Sequence, residues 1–244
     1  MLQQLVAQHA NAAASLPLPD YVRKDWLETS RARFEAAGLE SGDEACGEGG
    51  LQAGAELYGE INFDSLAVAL EAVRARHGGL VGAPGSETFI DIGSGYGKVV
   101  MHAKLSAKVA KAVGVEYVAS RAAMAISSKN ELVYGEHAFM TDDARCALRV
   151  GCDLKHGDAT KYGEFKFSHV YMYDKVFSDS TLQLLASQLG KSPFKVLISY
   201  QRIETWRRHG LNKIVEVGAL RMRTTGGQTF KAYIFVKQAK FMTR

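Results

Sequence analysis

The 244-residue sequence has only three cysteines and four prolines, and it contains no long uninterrupted apolar run. Cys46, Cys146 and Cys152 include no CxxC pair, which disfavours a disulfide framework and a zinc knuckle. The seven histidines show no HxxxH or HExxH spacing, so no metal site is predicted. No window approaches about 18 apolar residues, and residues 1–19 lack the basic start of a signal peptide. These absences favour a globular protein of a reducing compartment.

Positive and negative charges are concentrated in different parts of the chain. Residues 201–244 contain ten lysines and arginines against two acidic residues, whereas residues 35–64 contain eight acidic residues and no basic one. This separation fits a large, highly charged partner. Two ordinary solvated faces would give the same pattern, so both interpretations stay open at this point.

Short apolar patterns typical of strands alternate with helical patterns from about residue 88 to residue 200. Alternation of this kind requires a parallel sheet with right-handed crossovers. Two further consecutive strands follow and predict a closing antiparallel pair. Together they resemble the α/β, Rossmann-like seven-stranded sheet of class I methyltransferases, whereas a nicotinamide-binding domain would end in a strand–helix–strand unit. The predicted strands are 88–91, 111–116, 153–156, 167–173, 194–200, 211–220 and 229–237, and the helices between them include 120–148 and 178–189.

The first 55 residues are predicted to form a small helical region that precedes the catalytic domain. Helical patterns over 1–15 and 20–37 are followed by an acidic, glycine-rich loop over 38–54. The catalytic domain is expected to span 56–244, beginning with a further helix near 64–77.

A glycine-rich turn follows the first predicted strand. The stretch Thr88–Val100 reads TFIDIGSGYGKVV, with glycines at 93, 95 and 97 before a helical run. Glycine accepts positive φ and lets a ligand approach the backbone, and a helix start offers free N–H groups. The GxGxG spacing matches neither the GxxxxGK[ST] phosphate loop nor the GxGxxG dinucleotide motif. On spacing alone, a turn that binds no ligand is the alternative.

Three acidic residues end or follow the first three strands, namely Asp91, Glu116 and Asp158. The carboxyl ends of parallel strands meet at one edge of the sheet, where such folds bind ligands. Glu116 is expected to accept from two ribose hydroxyls, Asp91 to face an ammonium group, and Asp158 to accept from an adenine amino group. This set fits S-adenosylmethionine, which carries cations and no phosphate, better than it fits a pyrophosphate.

Four short motifs together resemble the disruptor-of-telomeric-silencing histone-lysine methyltransferases, which do not use a SET domain. They are YGE (Tyr58–Glu60), DIGSGYGK (Asp91–Lys98), GVE (Gly114–Glu116) and GD (Gly157–Asp158). The resemblance covers about residues 55–238, and the short chain resembles the compact catalytic cores of protist members. It implies a nuclear enzyme that transfers methyl groups from S-adenosylmethionine to a nucleosome-face lysine of the H-three type core histone.

The resemblance also implies which residues form the site. Relatives carry Asn-Asn-Phe after strand four, where this chain has Tyr173-Asp174-Lys175. They also carry a Trp near the final hairpin, and Thr225 stands near the corresponding position in this chain. Tyr173 and Asp174 are therefore expected to orient the substrate amine, with Phe177 and Tyr233 as walls of a lysine channel, although all four also suit purely structural roles. The residues expected at the cofactor are Tyr58, Glu60, Asp91, Gly93, Gly95, Lys98, Glu116, Asp158 and Ala159.

The basic segment 202–223 is expected to contact nucleosomal DNA phosphates without reading sequence. Trp206, beside Arg207 and Arg208, is expected to anchor this segment. Because the strand-four motif is substituted, two alternatives stay open. One is a methyltransferase acting on another protein lysine, an RNA or a small molecule, and the other is a non-catalytic cofactor-binding module.

Overall fold

The computed structural model describes residues 61, 69, 86–138, 140–223 and 229–238. The predicted helical region 1–55, the Tyr58–Glu60 motif, the helix near 64–77 and Thr225 lie outside the described residues. The boundary near residue 55 therefore stays a prediction.

Seven strands form one mixed sheet in the order β3-β2-β1-β4-β5-β7-β6. The first five strands run parallel, and β7 lies antiparallel between β5 and β6. The predicted parallel sheet with a closing antiparallel pair is confirmed, and β2 has the predicted bounds. The strands are β1 (Thr88–Ile92), β2 (Lys111–Glu116), β3 (Cys152–His156), β4 (His169–Met172), β5 (Val196–Ser199), β6 (Ile214–Arg223) and β7 (Thr229–Lys237).

The described residues include five α-helices, and one of them corrects the sequence prediction. The single helix expected over 120–148 is wrong, because the chain forms two helices there. The α-helices are α1 (Lys98–Leu105), α2 (Ala119–Tyr134), α3 (Asp142–Gly151), α4 (Asp179–Lys191) and α5 (Ile203–Arg208). The sequence YGE also occurs at 134–136, where it lies at the end of α2.

The break between α2 and α3 is stabilised by hydrogen bonds from both sides. Gly135 has an extended backbone at the end of α2, and the Thr141 side chain accepts from the Ala144 N–H to cap α3. The Arg145 guanidinium donates to the carbonyl of Gly135 at 2.7 Å and to the α2 carbonyls of Leu132 and Val133. Arg145 therefore satisfies carbonyl groups that have no partner within the helix.

Alternating strand residues form two apolar cores, one on each face of the sheet. One core contains Phe89, Val100 and Tyr171, and the other contains Ile90, Leu185, Trp206 and Phe235. Because β1, β2, β4 and β5 run parallel, the loops that follow them all emerge at the carboxyl edge of the sheet. None of the helices within the described residues has the length and apolar character needed to cross a membrane.

Candidate active site

The loop between β1 and α1 is a tight turn that requires glycine. Gly93, Gly95 and Gly97 have φ values of 77°, 53° and 78°. A Cβ atom on Gly97 would lie 2.9 Å from a Leu154 methyl, and one on Gly93 would lie 3.1 Å from the Phe177 ring. The loop thus lies close to side chains on both sides, and its positive φ values favour glycine at all three positions.

Glu116 fastens this loop to the end of β2. Its buried carboxylate accepts the Gly95 N–H on Oε2 at 2.7 Å and the Val118 N–H on Oε1 at 2.9 Å. A carboxylate has about four acceptor positions, so each oxygen keeps capacity for one further donor. The structure therefore places Glu116 beside the glycine loop, as its expected role requires, and adds a loop-holding role that the sequence did not reveal.

Asp91 is a buried carboxylate that lacks a full set of partners. Its Oδ1 makes no hydrogen bond with any of the residues the structure describes. Burial and the nearby charge of Glu116 raise the pKa of Asp91 well above its usual value. An unsatisfied buried polar atom costs free energy unless a ligand supplies the missing donor. A cationic donor such as an ammonium group has the right chemistry for this position.

Two basic side chains are buried on the helix that follows the loop. Lys98 begins α1, and His102 lies one turn further along the same helix. Burial, and then the positive charge of Lys98, lower the pKa of His102 to about 4. His102 is thus neutral at physiological pH, while Lys98 directly follows the glycine loop as the first residue of α1. Its predicted contact with the cofactor stays a prediction.

Asp158 caps a short 3-10 turn that begins at Ala159 and follows β3. Its Oδ1 accepts from the Thr160 N–H at 2.9 Å and from the Thr160 hydroxyl at 2.6 Å. Burial acts to raise the pKa of Asp158, but the hydrogen bonds from Thr160 and the interaction with Lys161 outweigh it and lower the pKa. The carboxylate is therefore ionised and held within its own turn. The adenine contacts predicted for Asp158 and Ala159 stay predictions.

Asp174 lies in the turn after β4 and is fully buried. Its Oδ2 accepts from the Ser199 hydroxyl at 2.5 Å, and its Oδ1 accepts from the Tyr200 N–H at 2.7 Å. The carboxylate thus points into the protein and ties the end of β4 to the end of β5. This geometry favours an indirect role, in which Asp174 holds its neighbours rather than meeting a substrate itself.

The other three predicted catalytic residues lie on two faces of the sheet. The half-buried Tyr173 ring meets Tyr200 edge-on at 4.8 Å and Phe230 at 5.8 Å, on the first core face. Burial and the charge of Asp174 raise the pKa of Tyr173, so its hydroxyl stays protonated at neutral pH. Phe177 and Tyr233 pack with the second core. A channel lined by all three side chains would therefore have to pass over the carboxyl edge of the sheet. The catalytic roles expected of the three residues stay predictions.

The charge of Asp174 makes the stability of the protein depend on pH. Burial raises the pKa of Asp174 to about 7, although hydrogen bonds from Ser199 and Tyr200 oppose the shift. The folded state then holds this proton more tightly than the unfolded state, so wild-type stability falls as pH rises from about 4 to about 7. The loss is up to about 1.4 kcal/mol per pH unit.

Replacing Asp174 by asparagine is expected to remove this part of the pH dependence. Urea unfolding of wild type and Asp174→Asn between pH 5 and pH 8 measures the difference. The stability of wild type relative to the variant should decrease across that range. A difference that does not change with pH would show that Asp174 does not titrate there.

The structure also adds site residues that the sequence analysis missed. Ser199, Gln201 and Trp206 surround Asp174, and Gln201 Nε2 donates to the Asp174 carbonyl at 2.9 Å. In the sequence, this cluster is indicated only by a serine and an aromatic residue at the end of the predicted strand 194–200. Among the described residues, no group of three or more His, Cys, Asp or Glu is arranged to hold a metal ion.

Comparison with known proteins gives a family match over part of the chain and a fold. Residues 52–140 match the family model for histone methylation protein DOT1, which confirms the predicted family resemblance over those residues. No curated relative matches the chain. Magnesium protoporphyrin IX methyltransferase from Synechocystis, solved with bound SAH, is similar in structure with a TM-score of 0.51 and 14% identity. That similarity covers 91% of this chain and 98% of the other.

A second solved structure, protein 1320 of Thermoplasma acidophilum, is similar with a TM-score of 0.50 and 13% identity. That similarity covers 74% of this chain and 89% of the other. At these identities the similarity shows the fold alone. The seven-stranded sheet with its antiparallel last strands is that of class I methyltransferases, as predicted.

Proposed function

We propose that this chain, an S-adenosylmethionine-dependent methyltransferase that carries DOT1 family sequence over residues 52–140, methylates a nucleosome-face lysine of the H-three type core histone. The family match is the observation that carries the proposal. It spans the glycine loop and Glu116, whose tight turn and buried carboxylate support a ligand site at this edge. A nuclear location follows from the same proposal.

The residues at the carboxyl edge fit the cofactor. The unsatisfied Oδ1 of Asp91 would accept from the methionine ammonium, and Glu116 has acceptor capacity for the ribose hydroxyls. Gly93 and Gly95 give the loop the positive φ values of its tight turn, and Lys98 would pair with the methionine carboxylate. When bound, S-adenosylmethionine would supply a methyl group on a positively charged sulfur, so that an in-line nucleophile bonds to the methyl carbon and the neutral thioether leaves.

On the substrate side, the chain has to deliver a neutral amine. A free lysine has a pKa near 10.4, and an apolar channel lowers that pKa because it removes water from the charged form. Tyr173, whose ring packs against Tyr200 and Phe230, would form part of the wall of such a channel. The Tyr173 hydroxyl, which stays protonated, can accept a hydrogen bond from the amine and orient its lone pair. No dedicated base is required, because water can take the proton, so orientation and exclusion of water are the main contributions.

A basic surface on α5 and the β6–β7 hairpin supports binding to nucleosomal DNA. Its lysine and arginine side chains are exposed, which suits salt-sensitive contacts with phosphates. Trp206 on α5 is fully buried in the second core, which supports its expected role as the anchor of this segment. The exposed basic residues are Arg202, Arg207, Arg208, Lys213, Arg221 and Arg223.

RNA methylation is a second candidate function, which one substitution favours. Lys175 is exposed in the turn after β4, where the resembling family carries a phenylalanine. A cation at this edge, near the basic α5 helix, would attract a polyanionic substrate and repel a lysine ammonium. The two candidate functions therefore differ in the charge of the substrate, which is negative for RNA and positive for a lysine side chain.

One assay separates these functions. The protein is incubated with methyl-labelled S-adenosylmethionine and, in parallel, intact nucleosomes, free histones, RNA or buffer alone. Label on a nucleosomal core histone, lost at high salt, is the expected result. Transfer to RNA, or to free protein but never to nucleosomes, would overturn the histone proposal. Cofactor binding without transfer to any substrate would indicate a binding module. The variant Lys175→Phe serves as a matched probe, since it should favour a lysine substrate and weaken transfer to RNA.

A further inference from the structure

Ser199 is the centre of a buried hydrogen-bond network with a defined direction. Its hydroxyl oxygen accepts from Trp206 Nε1 at 2.9 Å and from the Gln201 N–H at 3.0 Å. A serine hydroxyl has two acceptor positions and one proton. With both acceptor positions used, the proton of Ser199 is directed to Asp174 Oδ2.

The network fixes Asp174 by its backbone as well as by its side chain. The Asp174 carbonyl accepts from Gln201 Nε2 at 2.9 Å and from the Phe177 N–H at 3.3 Å. Tyr173 precedes this residue, and Phe177 follows it by three positions and packs on Gly93. Both residues expected to face the substrate therefore depend on where Asp174 is held.

We propose that Ser199 and Trp206 are positioning residues for methyl transfer, which hold Asp174 so that Tyr173 and Phe177 present a fixed surface to the substrate. This inference rests on the proposed methyltransferase function. Neither residue would meet the substrate, because Ser199 and Trp206 are both fully buried. They would act only through the turn after β4.

A purely structural role would not call for this arrangement. Burying a carboxylate costs several kcal/mol of free energy before its hydrogen bonds compensate, and apolar residues would fill the same space at lower cost. A fully satisfied polar network instead specifies one arrangement of the groups it joins. Here the groups that it joins are the ends of β4 and β5 and the helix α5, at the edge where the candidate site lies.

The test compares two variants that break the network with one that breaks a similar pair of hydrogen bonds elsewhere. Ser199→Ala removes the central hydroxyl, and Trp206→Phe removes the indole N–H while keeping an aromatic ring. Ser192→Ala is the matched control, because Ser192 is equally buried and its hydroxyl accepts from the Phe165 N–H and donates to the Gln188 carbonyl, both at 2.8 Å. For each protein, melting temperature, S-adenosylmethionine affinity, kcat and KM are measured. The ¹⁹F NMR signal of 3-fluorotyrosine at position 173 is measured as well.

Both network variants are expected to lower kcat by about ten- to a hundredfold, the scale of a small misplacement in an active site. They should leave cofactor affinity within about twofold and shift or broaden the Tyr173 signal. Ser192→Ala should lower the melting temperature without changing kcat or that signal. Folded network variants with wild-type kcat, or with an unchanged Tyr173 signal, would overturn the inference. If the wild type methylates no substrate, the proposed function fails, whereas the Tyr173 signal still decides whether the network positions this turn.

Discussion

Asp91→Asn is expected to stabilise the ligand-free protein and, at the same time, to weaken S-adenosylmethionine binding. The Asp91 carboxylate is buried, its Oδ1 has no hydrogen-bond partner within the described residues, and the charge of Glu116 lies nearby. Asparagine cannot ionise, so the variant avoids the cost of a buried, ionisable carboxyl group beside Glu116 in the empty site. The same change replaces the charged acceptor for the methionine ammonium by a neutral amide oxygen, and the loss of charge assistance should cost about 1.5–3 kcal/mol, or about ten- to 150-fold in affinity.

These opposite effects can be measured by thermal unfolding and by calorimetric titration with S-adenosylmethionine. Because the folded-state pKa of Asp91 is raised, ligand-free wild type should lose stability as pH rises through that pKa, and the variant should not. The control is Asp153→Asn on β3, a partly exposed residue whose ion pair with Lys111 spans 3.1 Å, since surface pairs contribute little. A lower melting temperature together with unchanged affinity would show that Asp91 is only a structural residue.

Glu116→Ala is expected to weaken cofactor binding by at least about 1.5–3 kcal/mol, because it removes charge-assisted hydrogen bonds to the ribose. The structure adds a second cause. The N–H groups of Gly95 and Val118 lose their acceptor, so the glycine loop is no longer tied to β2. Unlike Asp91→Asn, this change should therefore also lower the melting temperature of the ligand-free protein.

The variant Glu116→Gln separates the two contributions. Glutamine keeps a single acceptor oxygen and can hold only one of the two N–H groups, so its effects should fall between wild type and alanine. Titration calorimetry and thermal unfolding of the three proteins give both quantities. Wild-type affinity in Glu116→Ala would show that the ribose is bound elsewhere.

Much of the fold could be predicted because local pattern determines it. The pattern of β2 predicts its observed bounds, and two consecutive strand patterns predict the antiparallel β6–β7 pair. The break between α2 and α3 was missed. It depends on the reach of Arg145 to carbonyls ten or more residues earlier, which periodicity does not register. The short helix α5 was missed as well, because it is held by the burial of a single residue, Trp206.

In the candidate site, too, some features could be predicted from the sequence and others could not. Asp91, Glu116 and the three glycines could be located because strand ends meet at one edge of a parallel sheet. The orientation of Asp174 could not, since it depends on Ser199 and Tyr200, more than twenty residues away in the chain. A residue type at a strand end thus indicates where a carboxylate lies, but not whether it faces a ligand or the protein interior.

The most direct test of this account is mass spectrometry of the core histones after intact nucleosomes are incubated with the protein and S-adenosylmethionine. The account predicts methylation of a lysine on the nucleosome face of the H-three type histone. It also predicts a rate at least about tenfold lower for Asp91→Asn at limiting cofactor. Unmodified histones in the presence of a wild-type protein that binds S-adenosylmethionine would contradict it.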